Sequence, residues 1–279
     1  MISSQHRDEK ATGEADVPAI LRPLARRAVG MSGADIERLV REARQLARRQ
    51  RRSLSWQDLE ERLVSGRAVL PDQMLWRMAV HEAGHAVARL ALGFDGIEMI
   101  TIDDPSGGFV LVQDIAHGLQ LEGGIVDRIV VLLAGRRSEI AFFGSACAGA
   151  GGHVESDLGT ATTLALSLET SLGYGRHQPL LFLSPADQAT RLVRDRELAG
   201  RVNVRLEEAD RMAAAIVEAN RDVIAGLAKE LTGQGTLEGA DLARALVTVR
   251  KRLVRTTHLE ADRVEMHRPH VDSNQDNLR

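Results

Sequence analysis

Cysteine is almost absent from this chain. Cys147 stands alone among 279 residues, so no intramolecular disulfide can form and no thiolate-based zinc cluster can be assembled. Cys147 lies in the small-residue stretch SACAGAGG with no general base beside it in sequence, which marks an inert thiol. Aromatic residues make up only 3%, a balance that leaves helix-forming residues dominant. No apolar run approaches the ~20 residues needed to span a bilayer. The opening MISSQHRDEKATGEAD lacks the apolar centre of a signal peptide. With a formal net charge of −3 there is no global field that would gather nucleic acid or an anionic membrane. These absences together lead us to expect a cytoplasmic chain in a reducing compartment, with no nucleic-acid partner and no membrane span.

What is abundant is Ala, Leu, Arg and Glu, residues that lose little rotamer freedom in a helix. Four sections are expected. Residues 1–16 are polar and expected to be disordered. Residues 17–66 read as a short helical segment. Within it, Ile36, Leu39, Val40, Ala43, Leu46 and Ala47 recur at offsets of three and four behind an N-cap at Ser32, and Ser55 opens a shorter helix. Residues 71–254 form the main domain, and residues 255–279 a flexible polar tail. The expected fold is mostly α (α+β), with a small β-sheet beside the helix that begins near Gln73.

In the main domain, helical patterning runs to Leu92 and stops at Gly93. Short strands follow at 98–102 and 108–114 around the turn DDPSGG. A strongly apolar helix spans Leu121 to Phe143. A Gly/Ala-rich loop leads to a helix from about Glu155 to Leu172. Thr236 is expected to cap the last helix. A run of arginines, Arg41, Arg44, Arg48, Arg49, Arg51 and Arg52, reads as a solvated helix face, because no aromatics are interleaved with it.

The chemistry concentrates at residues 81–85, His-Glu-Ala-Gly-His. Positions i and i+4 project from one face of a helix, so His81 and His85 can share one metal ion. Glu82 lies outside that pair and can reach a water at the metal, the arrangement a metallopeptidase needs. The competing bland explanation is a pair of buried, hydrogen-bonded core histidines. A zinc site of this kind takes a third protein ligand and keeps one position open. Asp157, at a helix start after the glycine-rich loop, is the candidate, with Glu139 as runner-up. Spacing cannot choose between them.

At this point the sequence resembles the FtsH family of AAA+ zinc proteases. VHEAGHAV is similar to the family's metal helix, MITIDDPSGGFVLVQ to its next two strands, and LLAGRRSEIAFFG to its glycine-arginine-glutamate helix. GAGGHVESDLGTATTLA resembles the loop and helix that present the third ligand. LGYG with PLLFL matches the segment after it, and GMSGADIERLVREA resembles the last helices of the AAA+ lid. The resemblance covers about residues 17 to 253. It implies that His81, His85 and Asp157 bind Zn2+, that Glu82 is the catalytic base, and that Glu139 orients a ligand histidine. The chain departs from the family where Asn commonly precedes the third ligand, here Ser156, and where a second acidic residue often follows Glu139, here Ile140. No GxxxxGK[ST] phosphate loop occurs anywhere in the chain.

The expectation is a zinc metalloendopeptidase acting on unfolded or damaged polypeptides. Gly108, Phe109, Val110, Leu111 and Val112 would offer an open strand edge to an extended substrate. Family likeness implies a homo-oligomeric ring, a hexamer, or association with ATPase-bearing relatives, and leaves room for membrane association through a partner. Two alternatives stay open: a non-catalytic binding or assembly subunit of an FtsH-like complex, and an adaptor acting through residues 41–52.

Overall fold

The computed structural model describes residues 21–28, 30–64, 70–104, 107–113, 121–148 and 151–255. The expected disordered start at 1–16 lies outside them, as does the expected tail at 255–279 beyond Arg255. The chain divides into two compact units, one up to Leu70 together with the short stretch 103–106, the other comprising the rest from Pro71 on.

The first unit holds three helices, α1 (Leu21–Arg27), α2 (Gly33–Arg49) and α3 (Trp56–Val64). Ser32 starts α2 through a reciprocal capping box: its hydroxyl accepts from the Asp35 amide while Asp35 accepts from the Ser32 amide. Two orphan donors are satisfied at once. Ala43 and Ala47 are buried on one side of α2. Arg44, Arg48, Arg49, Arg51 and Arg52 are exposed, and Arg52 forks onto the buried Asp58 carboxylate at 2.6 and 2.5 Å. That bond, with the Ser55 amide and hydroxyl, holds Asp58 well below the usual carboxylate range.

The second unit is built around α4 (Asp72–Ala91), which packs against α5 (Glu122–Phe143). Around them stand α6 (Asp157–Thr170), α7 (Pro185–Arg194), α8 (Arg196–Ala219), α9 (Arg221–Gln234) and α10 (Gly239–Arg252). Three short strands, β1 (Ile97–Thr101), β2 (Phe109–Val112) and β3 (Thr236–Glu238), form an antiparallel sheet in the order β2-β1-β3. The unit is thus mostly helical with a small sheet. No helix among the described residues is long and apolar enough to cross a membrane.

With few aromatics to fill space, the core closes by bringing backbones together. Ala79, Val80, Ala83, Ala86, Val87 and Ala88 of α4 are all buried. Gly84 faces α5 so closely that a Cβ there would fall 2.9 Å from the Ala134 carbonyl oxygen and onto the Ser138 hydroxyl. Ile100, Ile129, Leu168, Ile216, Ile224 and Leu231 fill the remaining space between elements.

The structure revises four sequence expectations. Thr236 does not cap the last helix; it opens β3, where its hydroxyl meets that of Thr101 at 2.7 Å. A three-residue strand paired with a partner so distant in sequence has no local signature. The helix expected from Glu155 begins at Asp157, because the Ser156 hydroxyl takes the N-cap role and accepts from the Gly159 amide at 3.2 Å. The strand expected at 98–102 is Ile97–Thr101. The strand expected over 108–114 covers Phe109–Val112 only, so Gly108 precedes it and Asp114 lies outside the described residues.

The α4–α5 approach predicts opposite outcomes for two glycine substitutions. Gly84→Ala should lower stability in urea unfolding by about 1–3 kcal/mol through overpacking. Gly200→Ala, exposed on α8 with nothing within 4 Å of a new Cβ, should raise it by roughly 0.5–1 kcal/mol through backbone entropy. A Gly84→Ala protein as stable as the parent would mean that the two backbones are not in contact.

Candidate metal centre

Three side chains from two helices converge on one point. His81 and His85 leave α4 one turn apart on the same face, and their Nε2 atoms lie 3.0 Å from each other. Asp157, the first residue of α6, places Oδ2 3.0 Å from His81 Nε2 and 3.3 Å from His85 Nε2. Ser156 holds that helix start in place, so the carboxylate projects from a capped terminus rather than from a free loop.

The other imidazole nitrogens are occupied. His81 Nδ1 lies 2.8 Å from Glu139 Oε1, and His85 Nδ1 lies 2.8 Å from the Val131 carbonyl oxygen. A carbonyl can only accept, so His85 Nδ1 carries the proton and its Nε2 presents a lone pair. The Glu139 carboxylate asks the same of His81. With both rings neutral, two lone pairs and a carboxylate oxygen face one another, and either an Nε2 proton or a cation between them supplies the positive charge that this cluster calls for.

A cation of zinc's size fits this donor set. Metal–donor bonds of about 2.0–2.1 Å in a tetrahedron set donors ~3.3–3.4 Å apart, close to the observed 3.0–3.3 Å. Gly135 on α5 leaves room for it: a Cβ there would lie 2.4 Å from His85 Nε2 and 2.6 Å from His81 Nε2. These three side chains are also the group of His, Cys, Asp and Glu among the described residues whose donor atoms are close enough to share an ion. Of the two third-ligand candidates left open by spacing, Asp157 faces the Nε2 pair, while Glu139 backs His81 from the far side of the ring.

The electrostatics follow from this geometry. Burial by itself would disfavour imidazolium at His81, but hydrogen bonds to Asp157 and Glu139 and the nearby Glu82 charge outweigh it and push the pKa up to about 10. His85 is raised too, by the Asp157 charge acting against burial. Asp157 is held well below the usual carboxylate range: the two histidines overcome its burial. Glu139 is lowered by His81, Arg77 and the Cys147 amide against its own burial. Glu82 moves the other way. It is 6% exposed, and burial pushes its pKa up while the two histidines only partly restrain it. A carboxyl raised this way is suited to taking up and giving back a proton.

Glu82 also meets the sheet. Gly108, immediately before β2, packs on it so tightly that a Cβ would lie 2.5 Å from Glu82 Oε1. Phe109, Val110, Leu111 and Val112 continue from there as β2, whose partner is β1 on one side and which is the outer strand among the described residues. Leu111 is 43% exposed on it.

Sequence reasoning did not single out Gly135 or Arg77. A glycine within the apolar run of α5 costs about 1 kcal/mol against alanine in helix propensity, which is itself a sign of close approach. Arg77 precedes His81 by four residues and so shares its face.

Known proteins resemble this chain in the same regions. Residues 68–245 match the family model for peptidase family M41, and residues 20–61 match that for an AAA+ lid domain. The ATP-dependent zinc metalloprotease FtsH 2 of Symbiobacterium thermophilum is 32% identical over 248 residues, covering 81% of this chain and 41% of the relative. FtsH 1 of the same organism is 34% identical over 261 residues, covering 88% and 42%. FtsH 3 of Sphaerobacter thermophilus is 33% identical over 241 residues, covering 81% and 48%. The chain therefore spans less than half the length of these curated relatives.

Two outcomes are expected from the geometry. Gly135→Ala places a methyl on both ligand nitrogens, and an overpacking cost of about 1–3 kcal/mol there should weaken zinc affinity roughly 10- to 100-fold in chelator competition. Unchanged affinity would show that no ion sits between those nitrogens. In chelator, stability should fall as pH rises from about 6.5 toward 10. The raised His81 pKa means that its protonated form contributes fully below the ordinary histidine range and is lost through about 10. Excess zinc should offset that fall increasingly with pH, because the ion needs deprotonated nitrogens. Melting temperatures with and without zinc across pH 6–9 check this.

Proposed function

The chain belongs to peptidase family M41, and from that premise we propose that it is a zinc-dependent metalloendopeptidase whose ion is held by His81, His85 and Asp157 and whose general base is Glu82. The observation that carries this is the convergence of two imidazole lone pairs and one carboxylate oxygen, 3.0–3.3 Å apart, beside a buried glutamate of raised pKa. The names of the relatives, each an ATP-dependent zinc metalloprotease, support the choice of metal and of reaction.

Zinc held by His81, His85 and Asp157 would supply Lewis acidity toward a water and a peptide carbonyl. The protein's own groups do the rest. Asp157 and the Nε2 atoms fix the position of the charge. Val131 and Glu139 hold the imidazoles in the required tautomer and orientation. Glu82 accepts a proton from the attacking water and delivers it to the leaving amine, a transfer helped by its removal from bulk solvent.

An extended substrate reaches this site along β2. Backbone groups of the outer strand can pair with a passing chain and read little of its side chains, and Gly108 brings the start of that strand against Glu82. This favours unfolded or damaged polypeptides, cleaved internally. The match of residues 20–61 to an AAA+ lid supports assembly into a ring, a hexamer by family likeness, with nucleotide-driven unfolding supplied by an ATPase module.

Glu82→Gln separates the base from the metal ligands. Zinc content should match that of the parent, while hydrolysis of denatured casein falls at least about 100-fold. Mass spectrometry of the parent's products should show internal cleavages. Retained hydrolysis in Glu82→Gln would remove Glu82 from the reaction, and products trimmed only from chain ends would overturn the endopeptidase assignment.

A further inference from the structure

Arg77 has no part in the scheme above, yet it lies one turn before His81 on the same face of α4 and is mostly buried. Its Nη1 donates to Glu139 Oε2 at 2.9 Å and to the Ser145 carbonyl oxygen at 2.8 Å. The guanidinium rests 4.3 Å from the centroid of the Phe143 ring. Glu139 Oε2 accepts a second bond from the Cys147 amide at 2.7 Å, and Oε1 faces His81 Nδ1 at 2.8 Å.

These contacts leave the Glu139 carboxylate no freedom. It is 2% exposed, and its three donors come from two elements: α4 through Arg77 and the His81 ring, and the turn after α5 through the Cys147 amide. A buried carboxylate robbed of a donor turns toward those that remain. The plane of Glu139 decides whether Oε1 points at Nδ1. That bond in turn decides whether His81 offers its Nε2 lone pair. Arg77 also ties down Ser145, at the head of the segment leading to Asp157, so one guanidinium braces the approach to both ends of the ligand set.

We infer that Arg77 is a positioning residue for the metal centre, acting on His81 through Glu139 and on the loop before Asp157 through Ser145. This rests on the zinc reading above. Methionine in its place keeps the bulk against Phe143 and removes every donor. Lysine keeps a charge and donors on one nitrogen, but it has no planar guanidinium to lie on Phe143 and its flexible stem holds the two bonds less firmly.

The test is zinc affinity of the full chain, measured by competition with a chromophoric chelator, together with the melting temperature of the metal-free proteins. Arg77→Met should lower affinity about tenfold, and Arg77→Lys by less. Because Arg77 works mainly through Glu139, adding Arg77→Met to Glu139→Gln should cost little beyond Glu139→Gln alone. An arginine that only stabilised the fold would lower the metal-free melting temperature and give losses that add in the double variant, which overturns the inference. Parental affinity in both single variants overturns it too, and Arg77→Lys decides the matter if Arg77→Met does not fold. A parent chain that takes up no zinc is a separate result and defeats the functional proposal itself.

Discussion

The approach of α4 to α5 is the constraint on which the rest depends. Gly84 lets the two backbones come together, and Gly135 opens the space in front of the imidazoles that this approach would otherwise fill. The same geometry brings Glu139 and the Val131 carbonyl to the Nδ1 atoms. A larger residue at either glycine would separate the helices and release the rings from their acceptors. The chain's poverty in aromatics fits this design, since a core of alanine and small aliphatic residues closes only when helices lie near each other.

Charge is handled with equal economy. Glu82, Glu139 and Asp157 bring three carboxyl groups into a largely dry region, and each is treated differently. Asp157 is stabilised as an anion by the histidines, and Glu139 by His81, Arg77 and the Cys147 amide. Only Glu82 is left where burial dominates and its pKa rises. Two groups held as fixed charges beside one that can exchange a proton is the division of labour that acid–base chemistry requires.

Much of this is legible in the sequence. The pairing of His81 with His85 announces itself because i,i+4 spacing is a local property, and so is the Ser32 cap of α2. Asp157 and Glu139 could not be ranked by spacing, since their distances to the rings are set by how α5 and α6 pack on α4. The family likeness favoured Asp157, and the geometry puts that residue against the Nε2 pair. β3 was invisible because Thr236–Glu238 is too short to carry a period, and its threonine mimics a helix cap. Arg77 and Gly135 were present in the sequence as an arginine on the histidine stripe and a glycine inside an apolar helix. Their meaning depends on what faces them across the helix pair, which sequence pattern alone does not contain.

The sheet order β2-β1-β3 has a temporal side. β1 and β2 are neighbours in the chain, but the strand that flanks β1 on its other edge comes from residues beyond α9. A ribosome must therefore synthesise nearly the whole domain before the platform under the outer strand is complete. The histidine pair exists much earlier. Until Leu237 docks against Ile100, the emerging polypeptide holds its histidine pair beside a two-stranded ribbon rather than a complete sheet.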